Sequence, residues 1–377
     1  MGRAVGVDGG LLNDLLTALK NPERALDFSL RRWDALLPVA RRSNLLGRLA
    51  SLMARRGLLD RVPFPVRRHL EAAVRVAEAH RRAVLWEADR LRWALKAVEV
   101  PLVLLKGAAY CAEGLDASVG RLSSDVDLLV PRDALKTVEK ALLAHGWTPV
   151  KDLPYDQRYY RQWMHELPPL RHRDRGSVVD VHHHLVPLTG RLRPDVRLLW
   201  DRVRPSRLEG YFVLCPEDLL IHNHLHAFQD GPVWGALRDV VDADSLLRSW
   251  AEEEEAFWWR FVERVGVLGA ARPCFYALWA VRALMESQVP PWVLDRLARE
   301  GAISPMTKAI MTRAVKKALR GAAEGGGGAT TALSRALLFL RSHWLRMPPA
   351  LLAKHALHKI AVSFRPSWGS GFRRSEN

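Results

Sequence analysis

The chain is expected to adopt an α+β fold, a small mixed-sheet α/β core flanked by helical amino- and carboxyl-terminal regions. Three observations predict it. Apolar residues recur at helical spacing through the first hundred residues and again from Pro216 onward. Short apolar runs with period-two alternation, closed by Gly or Pro, fall between those two regions. With 377 residues, 49% hydrophobic and 26% charged, the chain is long enough for one large core or two to three domains.

In the amino-terminal region, Leu45, Leu49, Leu52 and Met53 mark one helix and Val74, Ala77, Val84, Ala88, Leu91 and Leu95 another, with Pro63 and Pro65 between. Val100–Leu105 then reads as a buried strand closed by Lys106-Gly107, and Ala108–Gly114 as a short helix. Val126–Val130 is a second buried strand closed by Pro131, followed by a helix over Arg132–His145 that stops at Gly146. Three further strands are expected near Tyr159–Glu166, Leu170–His172 and Val178–His184, with a turn at Asp174-Arg175-Gly176. Helices follow over Glu217–Phe228, Trp234–Trp250, Ala256–Val267 and Ala271–Met285, with a break at Pro290-Pro291. Gly325–Gly328 reads as a flexible hinge before a last apolar and basic helix at Leu333–Leu345. The expected divisions are 1–98 (helical), 99–210 (α/β core), 211–320 (helical) and 321–377 (hinge and basic tail).

Composition narrows the function classes. The net charge is +16, unevenly spread: 19 basic against 10 acidic residues over 1–98, 25 against 29 over 99–300, and 13 against 2 over 301–377. The middle is mildly acidic and the tail strongly basic, so a nucleic acid, an acidic peptide or a membrane surface would be held by the tail, whose arginines otherwise read as solvated helix faces. No run approaches the roughly 18 apolar residues of a membrane span. The start lacks the apolar stretch of a signal peptide, and Cys111, Cys215 and Cys274 are scattered and odd in number. A soluble protein of a reducing cytoplasm is expected.

Chemistry concentrates in Ser124-Asp125-Val126-Asp127-Leu128-Leu129-Val130. On a strand, Asp125 and Asp127 share one face while Val126, Leu128 and Val130 enter the core. Two carboxylates on one side suit a divalent ion that bridges the phosphates of a nucleoside triphosphate. In Val178-Val179-Asp180-Val181-His182, Asp180 and His182 share a face of a neighbouring strand, and Asp180 supplies the third carboxylate that a second metal needs. Upstream, Leu105-Lys106-Gly107 ends a strand at a helix start, where backbone N–H groups meet phosphate. Lys106, Arg121 and Ser124 are placed to add to that grip.

Together these segments resemble the nucleotidyltransferase superfamily typified by DNA polymerase β: strand, glycine turn, helix, Asp-x-Asp on the next strand and a third Asp on another. More narrowly the chain resembles a bacterial family of uncharacterised nucleotidyltransferases. The matches are Leu105-Lys106-Gly107, Arg121 with Ser124–Val130, Gly146, Asp180-Val181-His182, and Pro216–Leu220 with His222, over roughly residues 30 to 285. Lys106 stands where the wider superfamily has Gly, and His183 where an aromatic is usual.

The resemblance implies Mg²⁺-dependent (or Mn²⁺-dependent) transfer of a nucleoside monophosphate from a nucleoside triphosphate, ATP first among candidates, with release of pyrophosphate. The acceptor is a small molecule, a peptide, a protein or an RNA. Asp125, Asp127 and Asp180 would hold metal and carry catalysis, while Lys106, Gly107, Arg121 and Ser124 would hold the phosphates. Two rival readings are a non-catalytic nucleotide- or RNA-binding module of the same fold and a zinc enzyme built on His182–His184 with His222 and His226. The zinc reading lacks an H-E-x-x-H pattern, so His182 is expected to support the aspartates, His222 to pack nearby, and stoichiometric zinc to be absent.

Overall fold

The computed structural model describes residues 10–230, 233–251, 255–326 and 328–354. Its strands are β1 (Val103–Leu104), β2 (Asp125–Leu129), β3 (Trp147–Pro149), β4 (Leu170–His172), β5 (Val178–His182), β6 (Arg204–Pro205) and β7 (Phe212–Val213). They form one mixed sheet in the order β3-β4-β5-β2-β1-β7-β6. β2 runs antiparallel to β1 and parallel to β5, so the two strands richest in carboxylates lie side by side at the centre. Val126 and Leu128 of β2 are buried with Val179 and Val181 of β5, as the alternation requires.

Helices surround this sheet. The 31-residue helix Phe64–Ala94 packs on β2 and on the helix Lys106–Glu113, and the Tyr211 hydroxyl ties it to the β6–β7 hairpin by donating to the Ala88 carbonyl at 2.6 Å. Carboxyl-terminal to the sheet, Pro216–Leu225, Leu237–Trp250 and Ala271–Met285 pack on one another. Buried apolar residues from Leu12 to Leu338 join in one contiguous core that includes residues of all four expected divisions. Among the described residues no helix is long and apolar enough to cross a membrane.

Most expected elements are present, with four differences. Tyr159–Glu166 is not a strand: Pro154–Trp163 is a helix, and beyond it Glu166 forms only an isolated bridge with His182. The β preference of its tyrosines yields to helical spacing. Tyr155 stacks on Tyr159 four residues on, and Arg158–Gln162 and Gln157–Arg161 make hydrogen bonds at the same spacing. The first strand is shorter than its apolar run, with only Val103 and Leu104 in the ladder. The short strands β3, β6 and β7 and the helices Pro291–Glu300 and Pro305–Glu324 were not signalled. Finally, the helices on either side of the glycines pack on each other, while Gly327, inside the expected hinge, lies outside the described residues. Gly325, at φ 73°, caps Pro305–Glu324, and Ala329–Arg346 folds back on that helix with the Thr331 methyl over Gly321.

That last helix packs through a narrower face than the leucine spacing suggests. Leu338 and Ser342 are buried, whereas Leu333 and Leu337 face solvent. Polar ties add to it: Arg341 Nη1 donates to the Phe228 carbonyl at 3.2 Å, the Arg191 amide to the Leu345 carbonyl at 2.9 Å, and Thr189 Oγ1 to the Arg346 carbonyl at 2.9 Å. Truncation after Gly328 is therefore expected to lower the melting temperature by about 5 °C or more and leave nucleotide binding intact. An unchanged melting temperature with loss of a salt-sensitive RNA partner would make the tail a nucleic-acid arm instead.

Candidate active site

The parallel register of β2 and β5 sets Asp127 directly beside Asp180, with Asp125 beside Val178 and Leu129 beside His182. Because side chains alternate, Asp125, Asp127, Asp180 and His182 emerge from one face of the two central strands. Asp127 is the most enclosed of the three carboxylates, at 4% exposure. Its Oδ1 accepts hydrogen bonds from Lys106 Nζ at 2.7 Å and from His182 Nε2 at 2.9 Å. Burial opposes ionisation there, but the Lys106 ammonium and the His182 bond outweigh it and hold Asp127 well below the usual carboxylate range. Lys106 in turn stays above the ordinary lysine value despite burial, chiefly through Asp127.

Asp180 differs sharply. Burial, then the negative charges of Asp127 and Asp125, push it up to about 7. Its Oδ1 is buried and has no hydrogen-bond partner. Asp125, half-buried, is raised in the same way, by burial first and Asp127 second, with a hydrogen bond from Ser124 opposing. An orphaned carboxylate oxygen among hard oxygen donors is the kind of group that a divalent cation of the Mg²⁺ or Mn²⁺ type would satisfy, and Asp125, Asp127 and Asp180 are the residues that could hold one.

The turn before this face is strained. Lys106 has φ 45°, in the left-handed region that a β-carbon disfavours. The Leu105 amide donating to the Asp127 carbonyl at 3.0 Å and the Nζ–Asp127 bond hold it there. The next residue must be glycine for a different reason. A β-carbon on Gly107 would lie 2.2 Å from Arg121 Nη1 and from Ser123 Oγ.

Arg121 is brought to Gly107 with its guanidinium buried and paired. Its Nε donates to Asp242 at 2.8 Å in a buried pair, its Nη1 to Ser123 Oγ at 2.6 Å, and its guanidinium lies over the Tyr110 ring. It thus locks the loop entering β2 to the helix Leu237–Trp250. Ser124 is exposed beside Asp125.

The histidines separate. His222 is buried on the Lys106 and His182 side, held neutral by burial and then by the Lys106 charge. His226 faces Asp239 at 3.4 Å, and His224 packs edge-on against Phe261. His183 is pulled down to about 4, mainly by burial, and His184 spans the Val186 and Pro194 carbonyls. Two residues escaped the sequence reading: Glu166, whose Oε2 lies 3.5 Å from His182 Nδ1, and His165, whose ring is 5.2 Å from that of His182. They follow a helix taken for a strand and belong to no spaced motif, so only the tertiary return alongside β5 reveals them.

Comparison with curated proteins and with solved structures finds no match. A sequence model of one family, described as uncharacterised nucleotidyltransferase, matches residues 29–286. That span contains β1 through β7 and every residue of the carboxylate face, and the chain accordingly belongs to the uncharacterised nucleotidyltransferase family.

Proposed function

We propose that the protein transfers a nucleoside monophosphate from a nucleoside triphosphate, with ATP the first candidate, to an acceptor hydroxyl or phosphate, in the manner of the DNA polymerase β-like superfamily. The observation that carries this reading is the register that sets Asp127 beside Asp180 on the strand face that also bears Asp125. Bound Mg²⁺ (or Mn²⁺) would supply charge neutralisation on the triphosphate. In the transfer, an acceptor oxygen forms a bond to the α-phosphorus, the bond from that phosphorus to the α,β-bridging oxygen breaks, and pyrophosphate leaves.

The chain's own groups divide this work. Lys106 lies at the start of the helix Lys106–Glu113, where free backbone N–H groups favour an anion, and its ammonium can swing from Asp127 to the phosphates. Gly107 lets the backbone approach them closely. Asp180, at about 7, is suited to take the acceptor proton near neutral pH. Asp127, kept ionised by Lys106 and His182, stays a permanent anion of the face. Arg121 is a positioning residue that fixes the loop entering β2.

The test is incubation of the full chain with each α-labelled nucleoside triphosphate, Mg²⁺ and a cell extract. Label is expected on a protein, peptide, RNA or small-molecule acceptor, and none with Asp125→Asn. Labelling by wild type and Asp125→Asn alike would overturn the reading, and so would failure of all four nucleotides.

A further inference from the structure

We propose that His165, Glu166 and His182 form a site for one divalent transition ion of the zinc class, set at the edge of the carboxylate face but using none of its three aspartates. One nitrogen of each histidine and one carboxylate oxygen of Glu166 lie within 4.8 Å of one another. The Glu166 Oε2 to His182 Nδ1 separation is 3.5 Å. That is close to the roughly 3.3–3.4 Å edge of a tetrahedron whose metal bonds are about 2.0–2.1 Å. Both histidines are buried, His165 at 4% and His182 at 1% exposure.

Backbone pairing fixes the three residues. Glu166 bridges antiparallel to His182, the Leu167 amide donates to the Val181 carbonyl at 2.9 Å, and the His183 amide donates to the His165 carbonyl at 2.9 Å. The ligands thus meet where β5 ends and the segment after Pro154–Trp163 bridges back to it.

His182 Nε2 lies 2.9 Å from Asp127 Oδ1 while its Nδ1 faces Glu166 Oε2 at 3.5 Å. A metal-bound histidine whose other nitrogen donates to a carboxylate is the arrangement that orients imidazole ligands elsewhere. Two imidazoles and one carboxylate favour Zn²⁺, Co²⁺ or Fe²⁺ over Mg²⁺, and three protein ligands leave one position open. The inference stands apart from nucleotidyl transfer, since it rests on ligand geometry alone, and it adds a second role to a histidine that also supports Asp127.

The experiment strips the full chain with chelator, titrates Co²⁺ while recording its visible ligand-field bands, and measures retained Zn²⁺ by elemental analysis after desalting. One equivalent of tetrahedral-type Co²⁺ and of Zn²⁺ is expected. His165→Asn and Glu166→Gln should each weaken binding at least about tenfold, with folding checked by circular dichroism, while Asp125→Asn and Asp180→Asn bind as wild type. Absence of a stoichiometric ion, or binding undiminished in folded His165→Asn, would overturn the site. Loss of the ion in Asp125→Asn and Asp180→Asn, with His165→Asn unaffected, would overturn it by placing the metal among the aspartates.

Discussion

Asp127→Asn is expected to abolish transfer and also to cost about 3–5 kcal/mol of stability, whereas Asp125→Asn should abolish transfer with little change in stability. The two aspartates are neighbours on one strand face, but their surroundings differ. Asp127 is enclosed and neutralises Lys106, whose side chain is only 18% exposed. Asparagine keeps the shape and accepts one hydrogen bond, yet it leaves the buried Lys106 ammonium without the counter-charge it is bonded to. Asp125 is half-buried and its carboxylate is disfavoured by burial and by Asp127, so its removal relieves repulsion. The double variant Lys106→Met/Asp127→Asn separates the two effects, because it removes both charges of the pair. It should regain most of the lost stability in urea unfolding and none of the activity. An Asp127→Asn protein as stable as wild type would contradict the ion-pair argument. An active one would remove Asp127 from the metal site.

Asp180 yields the second large effect, and its sign is opposite. Its folded value of about 7 lies above the ordinary 3.8, so the fold binds a proton that the unfolded chain has released between those values. The stability this contributes is present below about pH 4, falls as pH rises from about 4 to about 7, and is absent above that. Asp180→Asn carries no titrating carboxyl and lacks this fall. At pH 8 without metal it should therefore be more stable than wild type, by a few kcal/mol at most, at about 1.4 kcal/mol per unit of displacement. At pH 4 the two should converge. The comparison to make is the difference between the two proteins across pH 4–8 in chelator, since groups remote from Asp180 titrate equally in both. Turnover should be lost in the variant, so the residue that destabilises the metal-free fold is one the reaction needs. A difference that does not change with pH would contradict the placement of Asp180.

Much of this site was legible in the sequence because it lies on strands. Period-two alternation alone places Asp125 with Asp127 and Asp180 with His182 on one face, and the pairing of β2 with β5 then supplies the register. The Lys106-Gly107 turn was marked by the strand that ends there. Its reason, a left-handed Lys106 held by Asp127, was not visible, since a φ angle leaves no mark on a lysine. Arg121 shows the opposite limit. Its position before the aspartates suggested phosphate binding, while its partner Asp242 lies 121 residues on, in a helix whose spacing identifies the helix and not the contact. His165 and Glu166 were obscured by a local error, because tyrosines with high strand preference occupy a helix held by aromatic stacking. Short edge strands such as β6, two residues long, carry too few side chains for alternation to register.

The central claim is that the reaction takes place at the α-phosphorus. It is tested most directly by giving the full chain and its acceptor extract ATP labelled at the α-phosphate in one reaction and at the γ-phosphate in another, with Mg²⁺ in both. The α-label is expected on the acceptor and the γ-label in pyrophosphate, with both movements lost in Asp125→Asn. Transfer of the γ-label to the acceptor, with the α-label left in ADP, would contradict the account and make this carboxylate face a phosphotransferase site.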